Sequence, residues 1–576
     1  MPNGAQKEKS AKPKGQMADT ATGNGEFGGE SETDMTTMAR QRKNGKEKGV
    51  QLPIFSLHSP HGIGCFSKEA YDFVDWLRQT GHTWWQILPL NPAGCGDCPY
   101  QALSSFAGDA YCIDPEQLIR DGLLKEEELA DYDRALGAAD ESQVDYEALY
   151  DRRLDLLRIA FRRFAERIGS QEAEAAEYDR FCRDNASWLE DYALFMALRD
   201  RYGREESWEF WPEDLRHRRE EALREAADSC REDAAFYRWV QFEFDRQWSR
   251  LKAYANEAGV GILGDMTAFV SYNSADCWAD PGQFLLDEDL KQVVVAGVPP
   301  DDFAPEGQKW GNPLYDWEAI REDGYRWWIS RMRLCFRMYD RVRLDHFRGY
   351  EAFYAIPRDA ENAFGGEWTP GPGMDLFNAL DQSGCAGGED LRKRFIAEDL
   401  GFLTDGVRRL LEDSGFPGMK VLQFAFDGNP ANPYLPDNYV ENCVAYTGTH
   451  DNDTTVGWFR SLSLETQKGI LMFLGATEEE VSRCDRFAAE GWPAPEGGQS
   501  PGEGAKATPE EIEKDPSRRA ADLMIEQLMN SRADLVMIPI QDYLRLGTEA
   551  RINIPGTAQG NWRWRMRPEE FRSLQG

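Results

Sequence analysis

Eight short apolar runs, rich in β-branched and aromatic residues, recur along the chain: LPIFSL (52–57), TWWQIL (83–88), VGILGD (260–265), DRVRLD (340–345), RFIAED (394–399), MKVLQF (419–424), CVAYTG (443–448) and LVMIPI (535–540). Most are separated by stretches with helical periodicity, the pattern of parallel strands joined by crossover helices. Eight such units predict an α/β fold of the (β/α)8 barrel type, the TIM barrel, with residues 51–576 as its catalytic domain.

A barrel of this kind takes about 250 residues, so the remainder must lie in insertions, and these should be large and mainly helical. A helical insertion is expected at about 113–255. There Tyr150, Leu154, Leu157, Phe161, Phe164 and Ile168 alternate steps of four and three, the period of a helix with one face on a core. Arg152, Arg153, Arg158, Arg162 and Glu166 fall on the other faces and read as solvated. A second insertion, of loop and helix, is expected at about 456–530. It carries a Pro/Gly-rich loop from about 493 to 515, in which Thr508-Pro509-Glu510-Glu511 has the form of a helix start.

Residues 1–50 break the pattern. They hold nine basic and seven acidic residues but one aromatic, Phe27, too little apolar area to offset the entropy of ordering, and read as a disordered extension.

Charge narrows the function classes. With 66 Lys+Arg against 101 Asp+Glu the formal net charge is −35, the wrong sign for a nucleic-acid partner. No run reaches the roughly 18 apolar residues of a membrane span, and the N-terminus lacks a secretory h-region, so a cytoplasmic enzyme without membrane association is expected. Eleven cysteines, odd in number and scattered, suit reduced thiols better than a disulfide framework. The pair Cys95 and Cys98 in CGDC has no second CxxC to complete a zinc site. Neither a P-loop nor a G-x-G-x-x-G at a strand-to-helix turn is present, and neither a metal nor a cofactor is expected.

Barrel chemistry gathers at the C-terminal ends of strands, and three of these runs lead to carboxylates: RLDHFRG with Asp345, IAEDLG with Glu398, and THDND with Asp451. Several acids on one rim, without Cys/His clusters, suit glycosidic-bond chemistry, which needs one group to attack or stabilise the anomeric carbon and another to protonate the leaving oxygen. Arg343, two residues before Asp345, points the same way on a strand, and its fixed charge favours an ionised partner.

These motifs also carry a resemblance. RVRLDHFRG, FIAEDLG and TGTHDNDT, together with SLHSPHGIGCF, WQILPL, PYQALSSFAGDAY, NSADCWADPGQF, GVPPDDF, GQKWGNPLYDW and EARINIPGTAQGNWRWR, are similar, in order, to the segments of the amylomaltases, the 4-α-glucanotransferases or disproportionating enzymes of glycoside hydrolase family 77. The resemblance runs from Leu52 to about Arg565. It implies transfer of α-1,4-glucan segments from a donor to the 4-OH of another glucan or of glucose, by a retaining double displacement and without a cofactor. By the same resemblance Asp345 is the nucleophile, Glu398 the general acid and base, and Asp451 the transition-state stabiliser. Tyr100, Ser104, Asp265, Asp301, Trp310, Arg343, His346, His450 and Asn553 are implied to contact substrate, with Trp310 on a flexible-looking loop and Tyr315 in a neighbouring pocket motif. Three departures from the family pattern, Cys98 for Ser, Thr267-Ala268 for Pro-Ile and Ile552 for Met, leave the charged groups in place.

Two other readings remain open on the sequence. A plain α-glucan hydrolase would use the same three acids with water as acceptor. A catalytically dead glucan-binding protein would be expected to have lost one of them, and none is missing.

Overall fold

The computed structural model describes residues 46–137, 141–300, 305–401, 403–492 and 514–575. Eight parallel strands close into a barrel in chain order: β1 (Glu47–Gln51), β2 (Trp84–Gln86), β3 (Gly261–Met266), β6 (Arg341–Leu344), β9 (Phe395–Ala397), β10 (Gly418–Val421), β11 (Cys443–Tyr446) and β12 (Leu535–Pro539). The remaining strands form a separate antiparallel sheet in the order β5 (Gln308–Pro313), β4 (Val294–Val298), β7 (Ala352–Pro357) and β8 (Glu367–Pro370). This sheet was not foreseen, because its strands are short and mix Gly, Pro and polar residues.

The first strand differs from expectation. LPIFSL, at 52–57, is not a strand: Pro53 starts it and Ile54–Ser56 forms a single 3-10 turn. The strand lies just upstream, so residues 47–50, assigned from composition to a disordered extension, are part of the barrel. EKGVQ pairs with β12 from Glu47↔Leu535 to Gln51↔Pro539 and with β2 from Gly49↔Trp84 to Gln51↔Gln86. Composition missed it because a barrel strand can alternate polar and small residues when its inward neighbours are large. Lys46 reinforces the start, its ammonium donating to the Leu528 carbonyl at 3.0 Å. The rest of the expected extension lies outside the described residues.

The barrel interior is layered. At the N-terminal end Trp84 fills the bore, and Gly49 and Gly261 make room for it: a Cβ on Gly261 would lie 2.6 Å from the indole. Above it Leu263, Ile396, Met419, Val421, Val444, Leu535 and Met537 form an apolar plug. The uppermost layer is polar, with Gln51, Gln86, Asp265 and Arg343 all buried. The period-2 alternation of β6 therefore places Arg341 low, Arg343 high and Asp345 at the mouth.

Between β2 and β3 the chain is helical from Pro115–Arg120 to Arg231–Glu257. In the helix Tyr146–Arg167, capped by Asp145 accepting from the Ala148 amide, Leu157, Phe161 and Phe164 are buried as the period requires, whereas Tyr150 is 37 % exposed. Arg153, expected on a solvated face, is fully buried. Its guanidinium donates to the carbonyls of Ile113 and His61, each at 3.2 Å, and lies over the Tyr132 ring, partners for a charge that helical period alone assigns to water.

Between β11 and β12 lie the helices Thr455–Ser461, Leu464–Phe473, Glu478–Glu490 and Pro516–Asn530. The Pro/Gly-rich loop from Pro493, with the helix start expected at Thr508, falls outside the described residues but for its last two positions.

Candidate active site

At the barrel mouth one guanidinium organises three carboxylates. Arg343 Nη1 lies 2.8 Å from both oxygens of Asp265 and 3.1 Å from Asp345 Oδ1. Its Nη2 is 3.9 Å from Glu398 Oε2. Asp265 lies one residue before the end of β3, Asp345 follows β6 and Glu398 follows β9, three consecutive strands of the barrel, so the cluster follows from strand order. The backbone ladder extends past the strand ends: the Asp345 amide donates to the Met266 carbonyl at 3.1 Å and that of Glu398 to Leu344 at 3.0 Å.

His346 adopts a left-handed backbone, φ 45°, unusual for a side chain of this size. That turn aims its amide at Glu398 Oε2, 2.7 Å away, while the Leu400 amide reaches Oε1 at 3.1 Å. Burial pushes the Glu398 carboxyl up to about 8, with Arg343 opposing and Asp345 reinforcing the shift. Burial also lowers the His346 imidazole to about 4, so it is neutral near pH 7. The same desolvation raises Asp265.

A second group approaches from the loop after β11. His450 Nε2 is 3.0 Å from the Tyr100 hydroxyl, which donates to Asp265 Oδ2 at 2.8 Å. The two rings stack, with centroids 5.3 Å apart and planes at 14°. His450 Nε2 is also 3.5 Å from Asp451 Oδ1, the atom to which Asn553 donates at 2.7 Å. A continuous polar chain therefore runs from Asn553 and Asp451 through His450 and Tyr100 to Asp265, Arg343, Asp345 and Glu398. Asp451 is 45 % exposed at its side chain, open to a ligand.

Trp310 is on strand β5 rather than on a loop. It meets His346 edge to face at 4.9 Å, and its indole N–H donates to Gln308 at 3.1 Å. Its backbone carbonyl accepts from Gln101, next to Tyr100, at 3.3 Å, which ties the antiparallel sheet to the barrel mouth.

Two expected contacts fall elsewhere. Ser104 is buried and its hydroxyl accepts from the Phe106 and Ala107 amides at 3.1 and 3.2 Å, a turn-forming role outside the network. Tyr315 packs among Phe269, Phe284 and Trp328 in the core. Asp301 lies outside the described residues. Two residues not singled out in the sequence join the site. Arg551 donates to the Asp451 carbonyl at 2.8 Å, and Trp562 packs on both Tyr100 and His450. Both fall in the EARINIPGTAQGNWRWR motif, the signal that could have named them.

Cys98, beside this cluster, has its thiol pushed up to about 11 by burial, which disfavours the reactive thiolate. Among the described residues no group of three or more His, Cys, Asp or Glu could hold a metal ion, and no helix is long and apolar enough to cross a membrane.

This arrangement has known counterparts. A family model described as 4-alpha-glucanotransferase matches residues 52–571. A 4-alpha-glucanotransferase from Thermus thermophilus is 41 % identical over 530 residues, covering 92 % of this chain and 96 % of that one. The chloroplastic/amyloplastic 4-alpha-glucanotransferase of Solanum tuberosum is 38 % identical over 535 residues, 92 % of this chain and 83 % of its own. Among solved structures, the amylomaltase of Streptococcus agalactiae in complex with acarbose superposes with a TM-score of 0.79 at 34 % identity, covering 91 % of this chain and 96 % of that one. The barrel, its rim of acids and these relatives agree, and the chain belongs to the 4-alpha-glucanotransferase family, glycoside hydrolase family 77.

Proposed function

We propose that this protein transfers α-1,4-glucan segments between maltooligosaccharides by a retaining double displacement, with Asp345 as nucleophile and Glu398 as acid and base. In the first step an oxygen of Asp345 bonds to the anomeric carbon of the donor as the C1–O4 bond breaks, and Glu398 gives its proton to the departing 4-oxygen. In the second, Glu398, now a carboxylate, takes the proton from the 4-OH of an acceptor glucan or glucose. That oxygen attacks C1 and releases Asp345. Two inversions keep the product α-linked.

The observation that carries the reading is the unequal treatment of two carboxylates around one guanidinium. Asp345 lies against Arg343 at 3.1 Å, whereas Glu398 is 3.9 Å from it and is pushed by burial to about 8. This asymmetry supports one group as the nucleophile and the other as the holder of a proton at neutral pH, the division of labour that glycoside chemistry needs. Their shared guanidinium suits the roughly 5 to 5.5 Å carboxyl separation of retaining enzymes. The exposure of Asp451, with Asn553 and His450 at its side, supports a role in binding sugar hydroxyls, and the rings of Tyr100 and Trp310 support pyranose packing. The ten cysteines with described side chains are free thiols, a state the reducing cytoplasm maintains.

Incubating the protein with pure maltotriose tests the transfer. Glucose together with oligosaccharides longer than maltotriose is expected. Glucose and maltose alone would instead mark a hydrolase. A fluorinated glucosyl donor should leave a covalent adduct on the peptide containing Asp345, and an adduct elsewhere would remove Asp345 from the role.

A further inference from the structure

The loop that carries His450 and Asp451 is anchored at both ends by a residue that takes no part in the chemistry above. It leaves β11 at Thr447 and enters the helix Thr455–Ser461 at Thr455. Asp542, in the short helix Ile540–Tyr543 directly after the neighbouring strand β12, receives both ends. Its Oδ2 accepts from the Thr447 hydroxyl and, at 2.7 Å, from the Thr455 hydroxyl, while its Oδ1 accepts from the Thr455 amide at 2.8 Å. The carboxylate is 1 % exposed, and none of the ion pairs among the described residues includes it. A buried acid whose hydrogen bonds all reach the two ends of one loop ties those ends together.

The loop borders a small, partly open cavity of about 20 Å³, lined by Gly448, Thr449, His450 and Asn452 of the loop, by Gln51 and Gln541 and by Asp542 itself, room for about one water. His450 Nδ1 and Gln51 Oε1, both buried beside it, find no hydrogen-bond partner. The middle of the loop is held by hydrogen bonds: Gln423 donates to the Asp453 carbonyl at 3.0 Å and Arg551 to that of Asp451 at 2.8 Å. Close packing fixes most core side chains. His450 is held by its stack on Tyr100 and Trp562, whereas the half-exposed Asp451 depends on hydrogen bonds at the loop's ends and middle.

We propose that Asp542 is a positioning residue for the transfer reaction, a clasp that closes the Thr447–Thr455 loop and thereby sets where Asp451 and His450 meet the sugar. The proposal rests on the reading of Asp451 as the group that binds sugar hydroxyls. Hydrogen bonds to those hydroxyls strengthen in the transition state, and a small misplacement of a catalytic group costs up to about 100-fold. Loosening the clasp should therefore lower kcat and leave KM nearly unchanged. A residue important only for folding would lower the melting temperature and the fraction of active protein, with kcat per folded molecule preserved.

The test is a double-mutant cycle on maltotriose transfer with Asp542→Asn, Asp451→Asn and the pair, each with its melting temperature. Asp542→Asn keeps the size and one acceptor oxygen but sets an NH2 group against a donor. It is expected to lose about 10- to 100-fold in kcat, and the double variant should lose little beyond Asp451→Asn alone, because residues acting as a unit are not additive. Folded Asp542→Asn with the native kcat, or losses that multiply in the pair, would overturn the clasp. Should Asp542→Asn fail to fold, Thr447→Val removes one strut at nearly constant volume and must show a kcat loss of at least about threefold that disappears in the Asp451→Asn background; a native kcat there overturns the proposal equally. A fully active Asp451→Asn would overturn the reading of Asp451 and the clasp with it, whereas a crippled Asp451→Asn beside a fully active Asp542→Asn overturns the clasp alone.

Discussion

Strand β6 presents two arginines to the inside of the barrel, two residues apart and at opposite ends of the bore. Arg341, at the N-terminal end, pairs with Glu47 at 3.2 Å, donates to the Lys393 carbonyl at 3.1 Å and lies over the Trp84 ring at 4.4 Å. Trp84 donates its indole N–H to the same Glu47 oxygen. Arg343, at the mouth, faces Asp265, Asp345 and Glu398 together. The same residue type on the same strand closes the bore in one layer and poises it for chemistry in the other. In the lower layer the carboxylate is shared by complementary donors. In the upper layer three acids compete for one cation, and burial leaves Glu398 with its proton. Crowding of like charge in a desolvated mouth creates the poise.

The sharpest way to break this comparison is to remove the nucleophile. Asp345→Asn is expected to lose on the order of 10⁴-fold in maltotriose transfer while folding normally, since an amide cannot form the glycosyl ester; several per cent of the native rate, with deamidation excluded by mass spectrometry, would contradict its assignment. Glu398→Gln should lose about 10² to 10⁴-fold on maltotriose but far less on glucosyl fluoride, whose leaving group needs little protonation. Equal losses on both donors would make Glu398 a binding residue.

The elevated Glu398 pKa gives a pH dependence with a definite sign. The acid must carry its proton in the first step, so kcat/KM on maltotriose should fall as pH rises through about 8. With glucosyl fluoride that basic limb should flatten. A limb unchanged between the two donors would show that another group titrates there.

The two arginines should then part company. Arg343→Gln strands the buried Asp265 and the partly buried Asp345 and Glu398 and is expected to damage both stability and rate. Arg341→Gln should lower the melting temperature, because one partner of a partly buried pair is lost, yet leave kcat within about twofold. A large kcat loss in Arg341→Gln at full folding would mean that the lower layer sets the geometry of the upper one. The smallest effect on rate is expected from truncation. Removing residues 1–48 cuts off Lys46 and the first two positions of β1, Glu47 and Lys48, so the melting temperature should drop by several degrees with kcat of the folded fraction retained. An unchanged melting temperature would show that β1 pairs without its first two residues.

By itself the sequence determined the barrel and its acids, for physical reasons that are local. Period-2 and period-3.6 patterns mark strands and helices, and the C-terminal ends of parallel strands are where polar residues can face a shared pocket, which is why Asp345, Glu398 and Asp451 were legible. Tertiary structure decided what local pattern cannot carry. Glu47–Gln51 became a strand because β12 and β2 offer it ladders on both sides. Arg153 became buried because two carbonyls from distant segments satisfy it. Ser104 and Tyr315, carried to the pocket by their motifs, went instead to a turn and to the core. Two partners of Arg343, Asp265 and Glu398, lie 133 residues apart in sequence, and the grip of Asp542 joins residues 95 and 87 positions away that the insertion between β11 and β12 separates along the chain. Whether a charge is solvated, neutralised or left competing depends on what surrounds it in three dimensions, and that surrounding is assembled from segments remote along the chain.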